Sequence, residues 1–327
     1  MTRRVGTPRR DRRRSVAPPS TRLTPVKDRR GDLIDHFSML RFPWRMSSSI
    51  GALVASSSLA VAAGAQPATG VFTHPAALGP LFERAVVRRI DVPDDARADY
   101  ARRLARAFAN AGVAIARTQF VVMIDRSASV QVAMVWWIAA DGTTGLIGAA
   151  PVSTGLPAGF EHFETPVGVF EHALGSPDFR AEGTPNELGV RGYGERGRRV
   201  FDFGWVDARR GWAAGHQLMR LQLHATDPLL LEPRLGRRAS KGCIRVGAGF
   251  NEFLDRFGIL DAAYDEAVAE GKRLWVLRGD RMPTAWAGRW LVIVDSERTR
   301  RPEWARAPTA SRAPGKTRAL EDPAVMH

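Results

Sequence analysis

The chain holds one cysteine, Cys243, in 327 residues. An internal disulfide is therefore excluded, and stability must come from the core. Long apolar runs are also missing: residues 47–63 are uncharged but rich in Ser, Ala and Gly, short of the roughly 20 strongly apolar residues a membrane span needs. There is no HExxH and no short paired spacing of ligands, so His162, His172 and His216 read as isolated histidines and no metal site is expected. No internal repeat is present. Positive charge is abundant, at +14 net, but it sits at the ends. Residues 1–45 carry 13 Arg/Lys against 4 Asp, residues 298–327 carry 7 basic against 3 acidic, and the remainder carries 28 against 27. A nucleic-acid footprint places its basic residues on one face of a domain, so no nucleic-acid partner is expected.

Arg41 and Arg45 precede the mildly apolar stretch, and Ala63-Gly64-Ala65 closes it before Gln66. A positive region, a short apolar region and a small-x-small site together read as a cleaved secretory signal, so the protein is expected to be exported, to the periplasm or cell envelope, with no stable membrane span afterwards. An Arg/Pro-rich leader does not ordinarily precede such a signal. Translation from Met39 or Met46 is expected instead, with a mature chain starting near Gln66. In an oxidising compartment an unpaired thiol is a liability, and its retention calls for a reason.

Residues 66–78, with Pro67, Thr69, Gly70 and Pro75, read as a linker. A helical lead-in follows over 79–116. Its clearest helix runs from Asp94 to Ala111, with Pro93 and two aspartates at its start, Gly112 after its end, and Tyr100, Leu104, Phe108 and Ala111 on one face. From Thr118 the texture turns to strands, expected at 119–125, 130–138, 145–153, 168–171, 200–205, 219–224 and 272–277. One helix is expected over 251–257, continuing toward Ala269. The fold class is mostly β, in mixed sheets with one or two helices plus the helical lead-in, and the β domain spans 117–279. In the C-terminal extension 280–327, Trp286, Trp290 and residues 291–294 read as packing back on the domain as an added strand, with disorder after 296. Trp136 and Trp137 project to opposite faces of one strand, one into the core and one under the lead-in.

Cys243 lies in Ser240-Lys241-Gly242-Cys243-Ile244-Arg245, nineteen residues after His224. A thiol beside glycine, with a histidine one hairpin away, suits acyl transfer: the sulfur attacks a carbonyl and the imidazole moves the proton. The Gly242 and Cys243 amides are natural oxyanion donors, since glycine permits close approach. Ser240 shapes the loop through local hydrogen bonds. Arg245 alternates with Cys243 and shares its side of the chain. Asp227 reads as solvent-facing or turn-forming.

Three stretches, Glu164-Thr165-Pro166-Val167-Gly168-Val169-Phe170, Leu223-His224-Ala225-Thr226 and the Cys243 segment, resemble in order and spacing the L,D-transpeptidase (YkuD-type) catalytic domain of bacterial cell-wall enzymes. The resemblance covers 117–279. It departs at Lys241, where the family usually has histidine; a lysine there would favour the thiolate or pair with a substrate carboxylate. The resemblance implies that Cys243 is the nucleophile, His224 the base, and Arg245 a holder of substrate carboxylate or a structural brace. It implies peptidoglycan stem peptides as donor and acceptor, release of D-alanine, 3→3 cross-links, a part in cell-wall biogenesis and cell shape, and no metal or organic cofactor. Water as acceptor would make an L,D-carboxypeptidase, and a lipoprotein lysine would make an anchoring enzyme. A non-catalytic wall-binding module is the alternative of another class, and a thiol protease on other peptides a remote one.

Gly192-Tyr193-Gly194-Glu195-Arg196-Gly197 matches a dinucleotide fingerprint in letters only, because the following residues are strand-like and no helix opens there. It reads as a substrate-side loop or turns.

Overall fold

The computed structural model describes residues 72–305 and 307–308. The leader, the signal segment and the first part of the linker lie outside the described residues. Among those described, no helix is long and apolar enough to cross a membrane.

The fold is mostly β, with two sheets. A short 3-10 turn, Pro75–Leu78, leads into helix α1, Gly79–Ala85, so the last part of the expected linker is already packed, with Leu78 fully buried. Helix α2, Asp94–Asn110, starts after Pro93 with Asp94 and Asp95 in its first turn, where their charges complement the helix dipole. Gly112, at φ 65°, turns the chain out of it. Ala96, Tyr100, Leu104 and Phe108 recur every four residues and form its buried face; Ala111 is exposed, because the helix has ended by then.

The strands are β1 (Gln119–Asp125), β2 (Val132–Ile138), β3 (Thr144–Pro151), β4 (Gly168–Glu171), β5 (Phe179–Arg180), β6 (Arg199–Arg209), β7 (His216–Ala225), β8 (Ile244–Val246) and β9 (Trp290–Val294). One sheet has the order β3-β2-β1-β9-β4, the other β5-β6-β7-β8. Pairing is antiparallel except at β1–β9 and β7–β8. Strand β1 is buried on both faces. Phe120, Val122 and Ile124 join the core between the sheets, while Val121 and Met123 meet α2 on the other side. Each such buried side chain contributes roughly 1.5–3 kcal/mol. Trp136 goes to the α2 side, and Trp137, partly buried, to the side of the inter-sheet core.

Three expectations are corrected. Residues 272–277 are not a strand: Gly271, at φ 90°, reverses the chain after the helix before it, Leu277 turns back on Leu274, and Trp275 stays 74% exposed. The place beside β1 is filled by β9, which sits between β1 and β4 and carries the sheet past residue 279. The 251–269 helix is two: α3 (Ala248–Phe257) stops at Gly258, a left-handed cap at φ 60°, and α4 is Ala262–Ala269. Residues after 296 are ordered through 305, with Ala305 buried and Trp304 edge-on to Tyr100 at 6.0 Å. Tyr100 in turn donates to Asp125 Oδ2 at 2.6 Å, tying α2 to the end of β1.

Candidate active site

The site lies on the β6–β7 hairpin and the loop that enters β8. Along β7 the period of two sends Leu221 and Leu223 into the core, while Leu218, Arg220 and His224 line a cavity of about 480 Å³. The parallel register pairs Leu223 with Ile244 and His224 with Arg245. Cys243 and Arg245 therefore fall on the His224 side of β8, and both line the same cavity.

His224 is buried, and its Nδ1 lies 2.6 Å from the Ala225 carbonyl oxygen. Only an N–H can donate there, so this contact selects the tautomer with Nε2 as the basic nitrogen. Cys243 is half-buried, with Sγ 3.8 Å from the Arg220 carbonyl oxygen. Burial pushes its thiol pKa up; the Arg245 charge and the Gln222 and Cys243 amides pull it down, the Asp202 carboxylate pushes it up again, and the net direction is upward.

The nucleophile loop is held from two sides. Ser240 is buried; its Oγ donates to the Cys243 carbonyl at 2.5 Å and accepts from the Gly242 amide at 3.1 Å. Residues 153–165 bind the same loop from outside. Leu156 N donates to Ser240 O, Phe163 N to Lys241 O, and Arg245 N to Ser153 O, each at 2.9 Å. Thr165 is fully buried and bridges both, donating to Gly242 O at 2.7 Å and accepting from Gly155 N at 2.8 Å. Gly242 has φ 139°, a conformation that strains any residue with a side chain, and a Cβ there would also lie 2.8 Å from Met219 Cε and Sδ.

The structure brings Cys243, His224, Ser240, Lys241 and Arg245 to one cavity wall. The Gly242 amide, an expected oxyanion donor, donates to Ser240 Oγ at 3.1 Å. Lys241 lies 3.8 Å from Glu161, and the cation that acts most on the sulfur is Arg245. Arg245 also donates to Ala239 O at 3.0 Å, a brace within the loop. Asp227 forms a turn, as expected, but is buried rather than solvent-facing: Oδ1 accepts from Leu229 N and Leu230 N, and Oδ2 from Arg191 N at 3.1 Å.

Sequence reading missed Tyr193. Its ring stands edge-on to His224 at 4.6 Å, and its hydroxyl donates to Gln222 Oε1 at 3.0 Å. The only sequence sign was the glycine-flanked loop. Aromatic rings make up much of the cavity's other side: Phe160 and Phe163 stand edge-on to Trp212 at 5.6 and 4.9 Å, and Trp205 lies at the rim, 64% exposed. His162 and His216 bind elsewhere, to Leu156 O and Asp207, and His172 is buried against Asp178. No group of three His, Cys, Asp or Glu among the described residues is arranged to hold a metal.

No family model matches the chain, and no curated protein matches it. Among solved structures, the helical cell shape determining protein Pgp2 from Campylobacter jejuni matches at 14% identity and a TM-score of 0.28, over 56% of this chain and 50% of that one. A variant of the same Campylobacter jejuni protein matches at 16% identity, TM-score 0.28, over 56% of this chain and 49% of that one. The chain spans about half the length of the solved structures it matches.

Proposed function

We propose that the protein is an exported cysteine acyltransferase of the L,D-transpeptidase kind, acting on peptidoglycan stem peptides. The observation that carries the reading is that His224, on β7, and Cys243, on the loop entering the adjacent β8, both line one cavity, with His224 Nδ1 against a carbonyl.

His224 Nε2 takes the thiol proton as sulfur attacks the L-centre carbonyl of the third stem residue. The upward push of burial on the thiol pKa favours transfer that accompanies attack over a standing ion pair. The Gly242 amide is held by Ser240 Oγ, and the Cys243 amide, which lies against the sulfur, is the donor assigned to the oxyanion as the sulfur attacks. The tetrahedral adduct expels D-alanine, whose amine takes the proton from His224. The thioester is then attacked by the side-chain amine of a second stem; His224 accepts the amine proton and returns one to the departing sulfur. Arg220, Lys241 and Arg245 around the cavity suit a substrate bearing carboxylates.

Mass spectrometry of residues 66–327 mixed with disaccharide-tetrapeptide tests this, with Cys243→Ala alongside. Loss of alanine with growth of a 3→3 dimer, absent in the variant, is expected. Tripeptide without dimer would make water the acceptor, and no wild-type turnover would remove the reading.

A further inference from the structure

Asp202 was not singled out in the sequence, and it touches neither Cys243 nor His224 directly. It is fully buried on β6, directly opposite Gln222 on β7. Between the pairs Asp202–Gln222 and Trp205–Arg220, β6 spends three steps where β7 spends two, a bulge made by Gly204 at φ 80°. The extra residue puts Asp202 and Trp205 on the same face as Arg220, Gln222 and His224; a regular strand would have sent one of the two to the core. The Gly204 amide closes the bulge on Asp202 Oδ1 at 2.8 Å.

The other carboxylate oxygen accepts from Arg220 Nε and from Gln222 Nε2, each at 2.8 Å. A carboxylate only accepts, so Gln222 must turn its NH2 to Asp202 and its carbonyl oxygen to Tyr193. The Tyr193 hydroxyl donates to that oxygen, and the same ring packs on His224. Arg220 and Gln222 also supply the backbone groups next to the sulfur, the Arg220 carbonyl and the Gln222 amide. Asp202 is itself anchored from behind, since its amide donates to the buried Asp178 carboxylate at 2.9 Å.

We propose that Asp202 is a positioning residue for the Cys243–His224 pair: it orients Gln222 and hence Tyr193 against the imidazole, and through Arg220 fixes the strand that borders the sulfur. The kinetic part rests on the acyltransferase reading; the thiol part does not. The charged and titratable groups around the sulfur are Asp202 on β6, Arg220 and His224 on β7, Arg245 on β8, and Glu161, Tyr193 and Lys241 on the loops. Burial, then the Cys243 and Asp202 charges, push the Tyr193 pKa up to about 12, which keeps its hydroxyl a donor. Asp202 likewise raises the thiol pKa, against Arg245.

The test measures iodoacetamide alkylation of Cys243 against pH, and D-alanine release from disaccharide-tetrapeptide, in wild type, Asp202→Asn and Gln222→Leu. In Asp202→Asn the alkylation midpoint should move to lower pH, and kcat should fall about tenfold or more with KM within about threefold. Gln222→Leu keeps the carboxylate, so its alkylation midpoint should shift less than that of Asp202→Asn while kcat falls similarly. An unmoved midpoint in a folded Asp202→Asn would overturn the proposal. If that variant fails to fold, wild-type kcat in Gln222→Leu overturns it and a lowered kcat supports it. Absence of D-alanine release from wild type would sink the acyltransferase reading, and the alkylation midpoints would still decide the role of Asp202.

Discussion

Ser240 spans the turn that carries Cys243: one hydroxyl donates to the Cys243 carbonyl at 2.5 Å and accepts the Gly242 amide at 3.1 Å. The pair explains how the nucleophile is presented and what holds the neighbouring amide. Ser240→Ala leaves both backbone groups without that partner in a buried place, which costs about 1–3 kcal/mol. The expected outcome is a folded protein with lower Tm and a lowered rate of D-alanine release. An unchanged rate would mean that the turn holds its shape without the hydroxyl.

Gly242 is the stricter position. Gly242→Ala forces a φ of 139° on a side-chain residue, a strain of about 1–3 kcal/mol, and drives a methyl into Met219. Turnover should drop by about a hundredfold, since small misplacements of a nucleophile are costly. Adding Met219→Ala removes the clash but not the dihedral strain, so it should not restore the rate. Full rescue by the double variant would show that contact, not backbone conformation, requires the glycine.

The thiol itself gives a pH prediction. Because burial and Asp202 outweigh Arg245 and the flanking amides, the neutral form persists above the ordinary cysteine range of about 8.5. Alkylation of Cys243 should be slow at pH 7 and rise only in alkaline solution. Arg245→Gln removes the main opposing cation and should move the midpoint higher still. Lys241→Ala should leave it in place, because Lys241 lies by Glu161 and Arg245 is the cation acting most on the sulfur. A midpoint below 8 in wild type would contradict this account.

Behind the site lies a buried ionic cluster. His172 Nε2 is 2.8 Å from Asp178, its Nδ1 is 2.8 Å from Leu260 O, and Arg199 binds Asp178 and Asp261 at 2.7 and 2.8 Å. Burial alone would lower the imidazole pKa; the Asp178 carboxylate outweighs it and holds the value above the ordinary one. A raised value stabilises the fold fully below the unfolded pKa of about 6.5, and that contribution is lost as pH rises through the folded one. Tm should therefore decline from pH 6.5 upward. His172→Gln should flatten that decline and cost about 3 kcal/mol or more, since it removes one partner of a buried charge pair. A wild-type Tm that does not fall between pH 6.5 and 9 would contradict the assignment of charge.

Much of the site was legible because its chemistry is compressed into a few letters. A lone cysteine beside glycine, with a histidine one hairpin away, is a short-range pattern, and the β7–β8 pairing turned that spacing into proximity. The strands β1 and β2 were legible from β-branched and aromatic runs, and β7 from apolar residues alternating with polar ones at Met219, Leu221 and Leu223. What failed depended on distant partners. Residues 272–277 carry Leu, Trp and Val, yet the place between β1 and β4 went to β9, and no local signal decides between two apolar segments. The split between α3 and α4 was written in Gly258, a glycine inside a helical pattern that was read through. Tyr193, Asp202 and Thr165 act only through contacts made across the fold, and Asp202 reaches its face by a bulge that periodicity does not announce.

The central claim is that Cys243 forms a thioester with loss of alanine. Intact-protein mass spectrometry of residues 66–327, quenched in acid seconds after mixing with disaccharide-tetrapeptide, tests it most directly. The account predicts a mass increase equal to substrate less one alanine, mapped by peptide digestion to the segment containing Cys243 and absent in Cys243→Ala. Alanine release from wild type with no such adduct, or release that survives in Cys243→Ala, would contradict it.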